Sequence, residues 1–343
     1  MDRTAPTPPA NALAPDLPED IAREAIAFRR RLHGHPELDL HLPRTQAAVL
    51  ERLEALRAEA GEDAATGRPA LETSVGRALS SVVVVLRGGA PLAEGTRRPV
   101  VLLRGDMDAL PVTEETGLEY APSVPGTMHA CGNDLHTAGL YGALAWLVRR
   151  RGELTADVVA MFQPGEETGG GALHMIQEGL LEAAVRPVDA AYAIHVSSGT
   201  YPRGVLLSRP GAIQAGCDDL VVTVHGIAAA HGMSAQVRTD CAFPVTANDA
   251  DAVAFVRRTV EDLYGADAYR ELPEPEPGSE DFSEVLQRVP GAYVLLGAVP
   301  EGVDPDEAPV NHSPQAVFDD AVVPRAAQVL AELALRTAPV PAS

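Results

Sequence analysis

Past residue 20 the apolar positions fall at helical spacing, with Ile21, Ala25, Phe28 and Leu32 sharing one face of a predicted helix. That helix should stop near His35-Pro36, because proline disfavours helix in the residue before it. Val49, Leu50, Leu53 and Leu56 predict a second helix. Residues 81–86 and 99–103 are continuous apolar runs split by a Gly/Pro turn segment, and runs without alternation read as strands covered on both faces. A long loop, residues 105–136, leads into a helix carrying Leu140, Ala143, Leu144 and Leu147 in register. Further strands are expected at residues 157–162, 188–195, 204–207, 219–224 and 292–296, and helices at 172–181, 251–263, 282–287 and Val323–Leu335. Strands alternating with helices imply an α/β domain whose sheet is mainly parallel.

Composition narrows the classes. The 343 residues suffice for one large domain or two modest ones with a well-buried core. A net charge of −21 repels phosphate backbones and anionic membranes, so neither nucleic acid nor membrane is an expected partner. No apolar run approaches the roughly 20 residues of a membrane span. The Pro/Ala-rich start lacks the apolar core of a signal peptide, so a cytoplasmic location is expected. Cys131, Cys217 and Cys241 form no Cys-x-x-Cys pair, and buried free thiols are the plain expectation. All 27 basic residues are arginine; without lysine, Schiff-base catalysis and the lysine-bearing phosphate loop are excluded.

The densest polar stretch is Met128-His129-Ala130-Cys131-Gly132-Asn133-Asp134-Leu135-His136. Thiolate, imidazole and carboxylate are the usual ligands of zinc-like ions. Alone, the stretch reads equally well as a polar helix start capped by Asp134. Glu166-Glu167 follows a buried strand, and two adjacent carboxylates repel unless a cation or proton separates their roles. One can ligate a metal while its neighbour takes a proton from water. By itself the pair is more simply a solvated loop, His195 a satisfied core histidine and His312 a lone loop histidine. Yet these groups cluster at the carboxyl ends of strands, where ligands bind in such sheets. Together they point to a metal centre.

An ordered set of motifs spans nearly the whole chain. It comprises Arg30-Arg31-Leu32-His33-Gly34-His35-Pro36-Glu37-Leu38, Arg104-Gly105-Asp106-Met107-Asp108-Ala109-Leu110-Pro111 and Met128-His129-Ala130-Cys131-Gly132. It continues with Gln163-Pro164-Gly165-Glu166-Glu167, Ala193-Ile194-His195, Gly278-Ser279-Glu280-Asp281-Phe282-Ser283 and Asn311-His312-Ser313-Pro314. In these the chain resembles the aminoacylase, hippurate hydrolase and auxin-conjugate amidohydrolase group of the zinc-type exopeptidases. The resemblance implies a three-layer α/β/α sandwich and two divalent ions, Mn2+ or Zn2+. It implies Cys131, Glu167, His195 and His312 as metal ligands and Glu166 as general base. Asp106, Asp108, Asp134 and His136 would lie close by, with Asp108 among the catalytic groups. The implied reaction is cleavage of the amide bond in small N-acyl amino acids by metal-activated water.

Two departures from the family pattern bear on activity. Where the family has a histidine ligand two positions after the cysteine, this chain has Asn133, whose amide oxygen is a weaker donor for zinc-like ions. The family also inserts a lid domain, and here the lid is vestigial: residues 219–226 resemble its first strand and residues 227–237 already resemble its last helix and strand. The lid's oxyanion histidine has no counterpart, because neither His225 nor His231 matches in spacing. The expected organisation is a flexible tail (1–17), a first catalytic part (18–217), a lid remnant (218–242) and a second catalytic part (243–338). Monomer and homodimer both remain open. The competing reading is a silent relative that binds metal or an amino-acid ligand without turnover.

Overall fold

A computed structural model describes residues 17–63, 66–223 and 236–342. The expected tail (up to residue 16), His225, His231 and the expected lid helix within 227–235 lie outside the described residues. Leu17, the last residue assigned to the tail, is buried in the core.

Seven helices are described: α1 (Glu19–His33), α2 (Pro43–Ala60), α3 (Asn133–Arg149), α4 (Gly171–Gln177), α5 (Ala250–Tyr264), α6 (Ser283–Leu286) and α7 (Val323–Leu335). The first strands are β1 (Leu71–Val75), β2 (Val82–Leu86), β3 (Thr96–Arg97), β4 (Val100–Asp106), β5 (Asp157–Gln163) and β6 (Ala190–Ser197). They are followed by β7 (Leu206–Ser208), β8 (Gly211–Gln214), β9 (Cys217–Thr223) and β10 (Gln236–Phe243). The last are β11 (Thr246–Asn248), β12 (Tyr269–Glu271), β13 (Gly291–Gly297) and β14 (Val340–Pro341).

Eight strands form one sheet in the order β1-β2-β5-β4-β6-β13-β7-β12. The central four, β5, β4, β6 and β13, are mutually parallel. Antiparallel pairings join β2 to β5, β1 to β2 and β7 to β13. The continuous apolar runs behave as their composition demands. In β4, Val101 and Leu103 pack into one core with α1, α2, α3 and α7, while Val100 and Leu102 pack into a second core on the other face. Alternation along a strand sends successive side chains to opposite faces, and here both faces are covered by protein. The architecture is the expected three-layer sandwich.

Helix α3 is the centre of the thicker layer and is buried nearly all round. Gly142 lets α7 approach, since a Cβ there would stand 2.9 Å from Ala327 Cβ. Several sequence expectations are corrected. The loop expected to run to His136 ends earlier, because α3 begins at Asn133 and puts Asn133, Asp134 and His136 on its first turn. Asp134 is not the cap: Gly132 holds that position, and the Asp134 carboxylate is taken by Arg29 and His33. The expected helix over 172–181 is the shorter α4, with Gly179 at φ 97° and a 3-10 turn at Leu180–Glu182. The edge strand β1 carries no apolar run and was not expected; it reads Leu-Glu-Thr-Ser-Val, with its last three residues exposed. Cys131 is buried and unpaired as expected, but Cys217 is unpaired and only half-buried; the Cys241 side chain lies outside the description.

Strands β9 and β10 pair with each other, apart from the main sheet, as an antiparallel two-stranded sheet. No described helix is long and apolar enough to cross a membrane.

Candidate metal centre

Three parallel strands deliver the polar groups to one end of the sheet. Strand β4 ends at Asp106 with Asp108 just beyond, β5 ends at Gln163 ahead of Glu166 and Glu167, and β6 carries His195 near its end. Cys131 precedes α3, and Gly132 makes its position possible. Gly132 has φ 90°, and a Cβ there would lie 2.3 Å from Val196 Cγ2, so only glycine lets the loop close on β6.

Donor atoms of Cys131, Glu167 and His312 lie within 4.8 Å of one another. The Nε2 atoms of His195 and His312 stand 3.3 Å and 3.2 Å from Cys131 Sγ, and His312 Nε2 is 3.7 Å from a Glu167 oxygen. His312 adopts φ 71°, a left-handed conformation costly for a non-glycine residue, and its N–H is tied to the Ala130 carbonyl at 2.8 Å. Asn311, beside it, donates to the carbonyls of Cys131 and Val196 and accepts the Ser198 N–H, which locks the three segments together.

The electrostatics of this cluster suit a cation. Burial, then the Asp108 and Asp106 carboxylates, push Glu167 up to about 8. Burial, then the Glu167, Glu166 and Asp106 carboxylates, push the Cys131 thiol well up. Burial, reinforced by His136, lowers His195 to about 3, which keeps its imidazole neutral and able to ligate. A divalent ion among these donors would favour the ionised thiolate and carboxylate.

Asn133 has a divided character. Its Nδ2 donates to the Asp108 carbonyl at 2.9 Å and to Glu167 Oε1 at 3.2 Å, which fixes the orientation of the amide. Its Oδ1 is thereby left buried with no hydrogen-bond donor. An orphaned buried carbonyl beside a carboxylate is a place for a cation or an ordered water. The thiol, two imidazoles, carboxylate and free amide oxygen together fit a divalent metal site.

Glu166 goes elsewhere. Its carboxylate gathers with those of Glu280 and Asp281, their oxygens within 4.8 Å of one another, all three residues buried. Arg104 enters this second cluster, 2.6 Å from Glu280, 3.0 Å from Asp106 and 3.6 Å from Asp281. Gln163 and the Ala172 N–H donate to Asp281. Burial and the surrounding Glu280, Glu167 and Asp281 charges push Glu166 well up.

Asp108 sits behind both glutamates. One oxygen accepts the Glu166 N–H and the other the Glu167 N–H, each at 3.0 Å. Burial, aided by Asp106, raises it to about 7 despite these bonds. His136 Nε2 accepts the Val196 N–H at 2.9 Å, so Nδ1 carries the proton and donates to Asp106 at 2.6 Å. Arg29 and His33 Nδ1 each reach Asp134 at 2.8 Å, while His33 Nε2 meets Glu114 at 3.0 Å. His129 does not join the donors: it is buried beside His33, both ring nitrogens are unpartnered, and burial lowers it to about 4.

The structure thus brings Cys131, Glu167 and His312 together with His195 against Cys131, and it groups the Glu166 carboxylate with Glu280 and Asp281 beside them. Sequence reasoning passed over Glu280 and Arg104 as site residues, although both lie in quoted motifs.

The model of peptidase family M20/M25/M40 matches residues 102–336. Thermostable carboxypeptidase 1 of Saccharolobus solfataricus is 39% identical over 203 residues, which cover 59% of this chain and 46% of that protein. IAA-amino acid hydrolase ILR1-like 5 of Arabidopsis thaliana is 31% identical over 293 residues, covering 82% of this chain and 61% of the relative. The chain spans about half the length of the first curated relatives it matches. Among solved structures, the YXEP protein of Bacillus subtilis, described as a dinuclear metal binding peptidase, superposes with a TM-score of 0.74. It is 24% identical, and the match covers 93% of this chain and 98% of that one. With a family match over more than half its length, this chain belongs to peptidase family M20/M25/M40.

Proposed function

We propose that the protein is a metal-dependent amidohydrolase that cleaves the amide bond of small N-acyl amino acids or related conjugates. The observation that carries this reading is the cluster of Cys131, Glu167 and His312 donor atoms at the carboxyl end of a parallel sheet, with His195 Nε2 against Cys131 Sγ. These four residues would hold the metal, with Asn133 Oδ1 as a further oxygen donor. Divalent ions, Mn2+ or Zn2+, would lower the pKa of a water and polarise the amide carbonyl.

The remaining steps belong to the chain. Glu166 takes a proton from the attacking water and passes it to the departing amine, and the carboxylates around it raise its affinity for that proton. Asp108 fixes the direction of the Glu166-Glu167 pair through their two N–H groups. His136, held by Asp106, steadies the end of β6 beside His195 by accepting the Val196 N–H. The names of the relatives, a carboxypeptidase and an amino-acid conjugate hydrolase, support a substrate with an amide next to an amino acid.

The proposed organisation has two catalytic parts, 18–217 and 243–338, separated by a shortened lid at 218–242. Pairing of β6 with β13 in one sheet and of β9 with β10 outside it supports this division. A second reading, binding without turnover, is favoured by the Asn133 N–H that already occupies Glu167. Elemental analysis after incubation with excess manganese or zinc, followed by a hydrolysis screen on N-acetyl and N-benzoyl amino acids, separates the two. Bound metal with turnover supports the hydrolase. Bound metal without turnover on any of them supports the silent relative, and absence of metal overturns the hydrolase and leaves only the silent relative.

A further inference from the structure

The end of the sheet opposite the metal centre holds a cavity of about 410 Å3 that the proposed reaction does not use. It lies where strands begin: Asp157 opens β5, and Arg97 and Arg98 precede β4. Seven residues of β5 place it roughly 20 Å from the metal-centre end. Its lining includes five arginines, Arg68, Arg87, Arg97, Arg98 and Arg186, against three acids. In a chain of net charge −21 this is a local reversal of sign.

The arginines are unequally neutralised. Arg97 is matched by Asp189, in a two-pronged pair at 2.7 Å and 2.9 Å. Arg87 and Arg186 share one carboxylate, Asp157, at 3.2 Å and 2.6 Å; Arg87 also donates to the Ala184 carbonyl at 2.9 Å and stands 3.9 Å from Glu72. Arg98 binds two main-chain carbonyls, of Leu154 and Ala90, and no carboxylate. The Arg68 side chain has no hydrogen bond or ion pair among the described residues. Planar guanidinium groups facing a shared space are suited to oxyanions, which accept paired N–H bonds.

We propose that this cavity binds a compact oxyanion of two or more negative charges, bridging Arg68, Arg98 and Arg186. Such a ligand would tie together the loop before β1, the approach to β4 and the loop before β6. Inorganic phosphate and a small tricarboxylate share this chemistry, and the experiment distinguishes them.

The probes are phosphate and citrate, each compared with chloride at equal ionic strength so that general screening cancels. Thermal unfolding and calorimetric titration of the full chain are followed for the wild type and for the double variant Arg68→Ser, Arg186→Ser. Both side chains are solvent-accessible, and Arg68 has no partner to lose. Phosphate or citrate should raise the Tm by about 2–6 °C and titrate with a Kd of about 1 mM or tighter. The double variant should lose about tenfold or more in affinity. A response to phosphate alone identifies a phosphate site, and a response to citrate alone identifies a carboxylate site. No response beyond chloride overturns the proposal. So does an equal response in the variant, which would place the anion elsewhere, the metal centre included. Because neither arginine is near Cys131, loss of this site leaves the reading of the metal centre untouched.

Discussion

Glu166 and Glu167 are neighbours in the chain yet end in opposite surroundings. Glu167 joins a thiol and imidazoles, with no guanidinium among them. Glu166 joins Glu280 and Asp281 around Arg104, a cation that is part of the chain and cannot be deprotonated. One cluster carries its own positive charge, and the other would take its positive charge from a bound metal. A buried carboxylate must be offset by a partner, a proton or a metal. Adjacent residues here use different answers, as the proposed division into a ligand, Glu167, and a proton carrier, Glu166, requires.

The largest expected effect comes from breaking the proton-handling side. Glu166→Gln should lower turnover by about 10²–10⁴ while the metal content stays constant. Parallel loss of metal in elemental analysis would make Glu166 a ligand and dissolve the contrast. Next is the built-in cation: Arg104→Met leaves several buried acids facing each other and should cost about 3–5 kcal/mol in urea unfolding. A stability close to that of the wild type would mean those acids are already protonated and the guanidinium is dispensable.

The metal side should respond more gently. Asn133→His supplies an imidazole and removes the N–H now bonded to Glu167, so zinc affinity should rise roughly 10–100-fold in competition with a chelating dye. Unchanged affinity would show that residue 133 does not face the metal.

A third arrangement, Asp134, sharpens the comparison because it uses both kinds of cation, the permanent Arg29 and the titratable His33. Burial opposes the charge on His33, but Asp134 and Glu114 outweigh it, and its pKa is raised. A raised folded pKa gives stability that is complete below the unfolded value near 6.5 and lost as pH rises through the folded value. His33→Gln should therefore flatten the fall in stability above about pH 6.5, by urea unfolding at a series of pH values. A wild-type profile that is no steeper than the variant's would place the neutralising charge on Arg29 alone.

Much of this layout can be read in the sequence, for reasons that also explain what cannot. Strands β4, β5, β6 and β13 are apolar on both faces, so their runs are unambiguous. The four proposed ligands stand in motifs whose order is specific. Strand β1 is different: as an edge with three exposed residues it has no apolar pattern to announce it. The start of α3 depends on a left-handed Gly132, which becomes visible only when Val196 is packed against it. Glu280 and Asp281 were legible as a motif, but their meeting with Glu166 and Arg104 exists only once the sheet has assembled. Side-chain direction at Glu166 follows from that meeting and was beyond reach of the pattern.

The pairing of β6 with β13 has a consequence for how the molecule is made. His195 lies opposite Leu295, and Gly291 opposite Ala191, although the chain between them includes the β9–β10 hairpin and α5. During synthesis β6 leaves the ribosome long before its parallel neighbour, and parallel pairing across such a separation forms slowly. Strands β9 and β10, which pair with each other and not with the main sheet, can form in the interval. His312 is later still in the chain than β13. The four proposed ligands therefore meet only after residue 312 has been released and β6 has found β13, so a metal held by them would follow assembly of the sheet rather than nucleate it.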